Sequence, residues 1–215
     1  MFIKRKNMSN FVYKEVDLFN GRKKINKEVA KENLFIFHDI LVVNNVSYAL
    51  MFGTLLGAIR EGDFIVHDED VDVCVLEEDK DNFLSILEQL DSAGLKVIRN
   101  KGYMMSIIKD DDYIDIYFFK KAKVLDVNKR VCGEFAYPSQ FFEKPFREYS
   151  FLGKNLVIPN NPELLLEAIY SKDWQIPDEG FLHETSSVYW KYKRIIYLMS
   201  PEVVKKIWSY FKSKV

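Results

Sequence analysis

A surplus of either charge is the first thing this chain lacks. Its 215 residues carry 31 Lys and Arg against 32 Asp and Glu, a net charge of −1. No global field therefore draws it to nucleic acid or to an anionic membrane, which leaves only local patches. Cysteine is scarce too. Cys74 and Cys132 have no metal-type spacing, and Cys74 falls in an apolar strand, so the pair reads as reduced thiols of a cytosolic protein. No apolar run is long enough to span a bilayer. The basic start, Met1 to Lys6, is followed by no signal-peptide core, so a soluble cytoplasmic chain is expected, with at most peripheral membrane contact. There is no internal repeat and no low-complexity linker. What remains is 48% hydrophobic and 15% aromatic, enough for one sizeable domain with its own core.

Residues 1–24 are polar and basic, with a turn at Asn20-Gly21, and read as a loosely attached start. Helical spacing of Val29, Leu34, Phe37, Ile40 and Leu41 predicts a helix from Ile25 to Val43, ended by Asn44-Asn45. Val46 to Phe52 suits a strand. Gly53-Thr54 then turns into a short helix, Leu55 to Arg60, closed by Gly62. Val71 to Leu76 reads as a strand, and Asp79 to Ala93 as a helix stopped by Gly94. Strands are expected at Lys96 to Ile98, Met104 to Lys109 and Tyr113 to Phe119, the last two forming a hairpin over the aspartates at 110–112. Residues 25–125 thus form the core of an α/β (α+β) domain with a mixed, partly antiparallel sheet. Beyond Lys120 the pattern loosens. A short strand at Val157-Ile158, a helix from Glu163 to Tyr170 led by Pro162, and helices at Tyr189 to Met199 and Glu202 to Lys212 make 126–215 a loop-and-helix part completing the same domain.

The chemistry lies in carboxylates. Asp70 and Asp72 are two apart on a strand, so their side chains leave the same sheet face, while Val71, Val73 and Val75 face the other way. Asp68 continues the row and Glu69 points elsewhere. Asp115 sits between Ile114 and Ile116 on another strand. If the strands adjoin, three carboxylates converge, and such a cluster is costly to bury unless a cation neutralises it. Mg²⁺, held by one or two carboxylates, waters and substrate phosphates, suits the arrangement. A calcium loop does not, because Val73 stands where its glycine is required.

Gly53-Thr54 before a helix is a plausible phosphate cradle, and Arg60 adds a charge-assisted contact. Tyr170 and Trp174 are candidates for stacking on a base or sugar. His38, His67 and His183 form no ligand set. The C-terminal Lys205 to Lys212 segment reads as a packed helix in preference to a membrane-surface one.

The run Ala49 to Arg60, with Gly62, Phe64-Ile65 and the Asp68 to Asp72 cluster, resembles the LicD family, which includes phosphocholine transferases within the polymerase-beta-like nucleotidyltransferase superfamily. Phe151-x-Gly153, Ile158-Pro159, Pro162-Glu163 and Tyr170-x-x-Asp173-Trp174 extend the likeness over about residues 30–177. The chain departs from the family pattern at Val66-His67, Glu69 and Ser171. The resemblance implies a nucleotidyltransferase-like mixed sheet flanked by helices, with a mostly helical C-terminal part. It also implies transfer of a phospho-alcohol, phosphocholine or a polyol phosphate, from a CDP-activated donor to a glycan or glycolipid hydroxyl, with no nucleic acid partner, in the cytoplasm or at the inner face of the cell membrane. In that reading Asp70 and Asp72 hold Mg²⁺ (or Mn²⁺), and Gly53, Thr54 and Arg60 hold donor phosphate. Asp115 completes a second metal site or takes the acceptor's proton; Asp68 is a further ligand or supports one. The alternative is transfer of a whole nucleoside monophosphate to a small molecule or protein.

Overall fold

The computed structural model describes residues 1–16, 24–124 and 126–177. Strands β1 (Phe2–Ile3) and β2 (Phe11–Val12) come first, then α1 (Lys27–Val43). The order continues with β3 (Tyr48–Leu50), α2 (Phe52–Arg60), β4 (Val71–Leu76), α3 (Lys80–Ser85), α4 (Leu87–Ser92), β5 (Lys96–Asn100), β6 (Met104–Lys109) and β7 (Asp112–Val124). After these follow β8 (Val127–Cys132), β9 (Phe135–Pro138), β10 (Arg147–Phe151), β11 (Lys154–Ile158) and α5 (Pro162–Tyr170).

The central sheet has the order β3-β4-β7-β6-β5. Strands β4 and β7 run parallel and the other pairs antiparallel, so the sheet is mixed, as the sequence implies. Helix α1 packs on β7, and α2 on β4 and α5. The Asn26 side chain caps α1 by accepting from the Val29 amide, and Leu34, Phe37 and Leu41 are fully buried at helical spacing. The Phe37 ring meets Tyr48 of β3 and Phe83 of α3 at 5.5 and 6.3 Å, and Phe83 meets Phe118 of β7 at 5.7 Å. Burial of each such ring is worth about 1.5–3 kcal/mol, and this aromatic seam holds helix and sheet together beneath the acidic strands.

Four local expectations change. Gly53 and Thr54 do not precede a helix but lie in the first turn of α2, which begins at Phe52. The strand-to-helix turn is made by Phe52 at φ 44°, a left-handed conformation that a non-glycine residue adopts only under constraint. The expected Asp79–Ala93 helix is divided at Ile86 into α3 and α4, where Ser85 donates its hydroxyl to the Asn82 carbonyl, a local bond that competes with the helical ladder. Strand β7 runs past Phe119 to Val124, where it leaves the main sheet to pair with β8; Lys120, Lys121 and Lys123 hide this extension from an apolar-pattern reading. Residues 126–177 contribute four strands and one α-helix. Asn20-Gly21, His183 and the helices expected at 189–199 and 202–212 lie outside the described residues. No helix among the described residues is long and apolar enough to cross a membrane.

Candidate active site

Four polar side chains form one row across the sheet. Arg99 of β5 is the register partner of Ser106 on β6, Ser106 of Asp115 on β7, and Asp115 of Asp72 on β4. Register partners share a face, so the row presents two cationic or hydroxyl groups and then two carboxylates. Arg99 donates through Nε to the Ser106 hydroxyl at 2.9 Å and through one terminal nitrogen to both Asp115 oxygens, at 3.1 and 2.9 Å. The Ser106 hydroxyl also donates to Asp115. The expected adjacency of Asp72 and Asp115 is therefore present, and Asp115 carries its own countercharge.

Asp72 is built in by the start of α2. The Gly53 amide donates to Asp72 Oδ2 at 3.1 Å, the Asp72 amide donates to Thr54 Oγ1 at 2.8 Å, and the Met51 amide donates to the Asp72 carbonyl at 3.0 Å. Thr54 is buried, and its hydroxyl accepts from the strand. The pair expected as a phosphate cradle thus holds a carboxylate in place. Gly53 has a second role, because a Cβ added there would overlap the Asp68 carboxylate. Only glycine lets Asp68 and Asp72 both approach this turn.

Burial, and after it the charges of Asp70, Asp68 and Asp115, holds the Asp72 carboxyl well above the usual carboxylate range, against the opposing pull of the Gly53 amide. Asp68, Glu69 and Asp70 are half-buried in the approach to β4, and His67 beside them is exposed. Among the described residues, no group of three or more His, Cys, Asp or Glu side chains is arranged to hold a metal ion. The electrostatics are those of a carboxylate cluster with excess negative charge around Asp72.

Arg60 lies at the far end of α2. One terminal nitrogen donates to the Trp174 carbonyl at 3.2 Å and the other to Glu61 at 2.6 Å, while the buried Nε has no hydrogen-bond partner. Burial, followed by the charges of Asp72 and Asp68, pushes the Tyr170 hydroxyl well up, and Arg60 pulls it down. Tyr170 and Arg60 therefore belong to the same site. Trp174 is nearly buried and packs into the core, so its indole supports the site without offering an open stacking face. His38 hydrogen-bonds the Tyr48 hydroxyl at 2.9 Å, a structural place.

Reading the sequence alone misses Arg99, Ser106, Phe52 and Tyr117. Burial, then Asp72, Asp115 and Asp70, pushes the Tyr117 phenol up, and its ring meets Phe52 edge-on at 4.8 Å. Arg99 and Ser106 sit in ordinary-looking strands, and only cross-strand register reveals them.

The family model for LicD/FKTN/FKRP, nucleotidyltransferase domain, matches residues 45–161. An uncharacterized protein of Rickettsia typhi is 33% identical over 129 residues, 58% of this chain and 40% of that protein. An uncharacterized protein of Rickettsia prowazekii is 27% identical over 177 residues, 78% of this chain and 64% of that one. The chain thus spans less than two thirds of the length of either relative. Among solved structures, the antibiotic-resistance factor ANT(2'')-Ia superposes with a TM-score of 0.46 at 16% identity, covering 86% of this chain and 94% of that chain.

Proposed function

The chain belongs to the LicD/FKTN/FKRP nucleotidyltransferase-domain family, and from that premise we propose a metal-dependent phosphotransferase. In this reading it moves a phospho-alcohol, phosphocholine or a polyol phosphate, from a CDP-activated donor to a hydroxyl of a cell-surface glycan, working in the cytoplasm at the inner face of the cell membrane. The observation that carries the reading is the pairing of Asp72 with Asp115 on parallel strands, with Asp68 and Asp70 close enough to raise the Asp72 carboxyl.

Asp70 and Asp72 are the residues that would hold Mg²⁺ or Mn²⁺, with Asp68 beside them. The strained ionisation of Asp72 fits a hard cation that completes its shell with water and substrate oxygens, which is why an incomplete protein cage suffices. Such an ion, when bound, offsets negative charge on the donor's pyrophosphate.

The chain's own residues do the rest. Arg60, whose charge acts on Tyr170 together with Asp72 and Asp68, keeps a buried Nε–H without a partner, a donor suited to a phosphate oxygen. Gly53 and Thr54 serve the donor indirectly, by fixing Asp72. Arg99 and Ser106 fix Asp115, and with the guanidinium on both its oxygens it is a firm wall against which an acceptor hydroxyl is oriented. Tyr170, at the end of α5, lies within the field of Asp72 and Asp68.

Titration calorimetry with Mg²⁺ and, separately, CDP-choline, CDP-glycerol, CDP-ribitol, CTP and ATP tests the reading. One CDP-alcohol is expected to bind with Mg²⁺ and to be consumed. Saturable CTP or ATP binding without a response to any CDP-alcohol would replace it with nucleoside monophosphate transfer, the reading that the family's nucleotidyltransferase description favours.

A further inference from the structure

The first residues of the chain fold onto the domain as a hairpin with two unlike sides. Ile3 and Phe11 are register partners, 4% and 8% exposed, with Tyr13 buried beside them. Arg5 continues the inward set, its guanidinium buried and both terminal nitrogens on the Glu88 carboxylate of α4 at 2.5 Å. The Val16 amide donates to the Ile98 carbonyl of β5 at 3.0 Å. These contacts fix the hairpin to α4 and to the β5 edge of the sheet.

Strand alternation sends Phe2 and Val12 outward, and the residues flanking these short strands add further exposed side chains. Phe2 and Val12, also register partners, are 58% and 76% exposed, and Met8 is 44% exposed. Lys4, Lys6 and Lys14 are exposed at the same even positions. Glu15 is the one carboxylate among residues 1–16. Single exposed apolar residues need no explanation. Here register sets Phe2 beside Val12 on an anchored hairpin, and lysines surround them in a chain of net charge −1.

We propose that the outer face of the β1–β2 hairpin docks on an anionic lipid bilayer. An acidic protein partner would satisfy the lysines and would need an apolar patch of its own to cover Phe2, Met8 and Val12. A bilayer interface takes both, apolar side chains at the acyl boundary and ammonium groups among anionic headgroups. The docking face is independent of what the carboxylate site transfers. Each lysine strengthens partitioning about fivefold, so the three together contribute about a hundredfold, and the apolar side chains supply the second signal that stable attachment requires.

Co-sedimentation of the full chain with phosphatidylcholine vesicles, with and without about 30% phosphatidylglycerol, reads this directly. Binding is expected to the anionic vesicles only and to weaken with salt. K4Q/K6Q/K14Q should lower the partition coefficient about a hundredfold, and F2S/M8S/V12S should lower it at least tenfold. All six positions point outward, so circular dichroism should stay unchanged; if the apolar variant fails to fold, the lysine variant still decides. Failure of the wild-type chain to bind, or equal binding by wild type and both variants, overturns the proposal. So does a dimer, seen by sedimentation, that forms without lipid and is lost in F2S/M8S/V12S, because that assigns the face to a second copy.

Discussion

One terminal nitrogen of Arg99 bridges both carboxylate oxygens of Asp115, at 3.1 and 2.9 Å, and the bond lies at the end of a row that places Asp115 directly beside Asp72. Asp115 is buried, so loss of its partner leaves an uncompensated charge in the sheet. Arg99→Ala should cost about 3–5 kcal/mol, measured by urea unfolding. Arg99→Ala combined with Asp115→Asn should recover much of that loss, because the two sites are coupled. Strictly additive effects would show that the row is not an energetic unit.

Asp72 contributes a pH dependence of known sign. Its carboxyl is raised by burial and by Asp70, Asp68 and Asp115. The native state therefore keeps a proton that the unfolded chain has already released, and stability falls as pH rises through the raised value. Asp72→Asn, measured in chelator, should flatten that fall and raise Tm at neutral pH, by about 2–4 °C for each kcal/mol relieved. Transfer activity should be lost in the same variant. Added Mg²⁺ should raise the Tm of the wild type and not that of Asp72→Asn; an equal rise in both would remove Asp72 from the metal assignment.

Gly53→Ala separates site geometry from stability. The added Cβ meets the end of the Asp68 side chain, which can swing away cheaply, so unfolding free energy should change by about 1 kcal/mol or less. Activity should fall much further, since Asp68 and Asp72 then cannot share the turn. A variant with wild-type turnover would show that the Asp68 position is immaterial.

Arg60 keeps a buried Nε without a hydrogen-bond partner. If a donor phosphate takes that N–H, Arg60→Lys should weaken CDP-donor binding by about 10- to 100-fold, the worth of a charge-assisted hydrogen bond. Tm should change little, because lysine can still reach the Trp174 carbonyl or Glu61. Unaltered donor affinity by calorimetry would place the phosphate elsewhere.

Away from the site, Arg130 donates to both Glu78 oxygens at 2.7 and 2.6 Å and pulls the Glu78 carboxyl down to about 2. A carboxyl lowered in the native state adds stability above its ordinary value near 4.5, and that stability is lost as pH falls toward 2. Glu78 is partly exposed, so solvent screening holds the effect to about 1 kcal/mol. Glu78→Gln should be less stable than wild type at neutral pH and converge with it in acid, as followed by denaturation at stepped pH.

Much of the fold was legible because its signals are local. Helix α1 follows from the spacing of Leu34, Phe37 and Leu41 under an Asn26 cap, and β4 from alternating valines. The β6–β7 hairpin follows from the Asp110-Asp111 turn, where both residues take positive φ. Extension of β7 beyond Phe119 was not legible, since an edge pairing with β8 is made by backbone groups while the side chains are lysines.

The sequence by itself determined that Asp72 stands on an alternating strand with Val71 and Val73 facing the other way and that a glycine stands before it, since both follow from the two-residue period of a strand and from one residue's lack of a side chain. Only the tertiary structure decided that Asp115 lies beside Asp72, that Arg99 and Ser106 complete the row, and that the Gly53 amide binds the Asp72 carboxylate while the Thr54 hydroxyl accepts from the Asp72 amide. Those facts depend on the register between strands distant in sequence and on where a helix begins. Neither is encoded in the composition or spacing of any one segment; both are set when the whole sheet buries its apolar face.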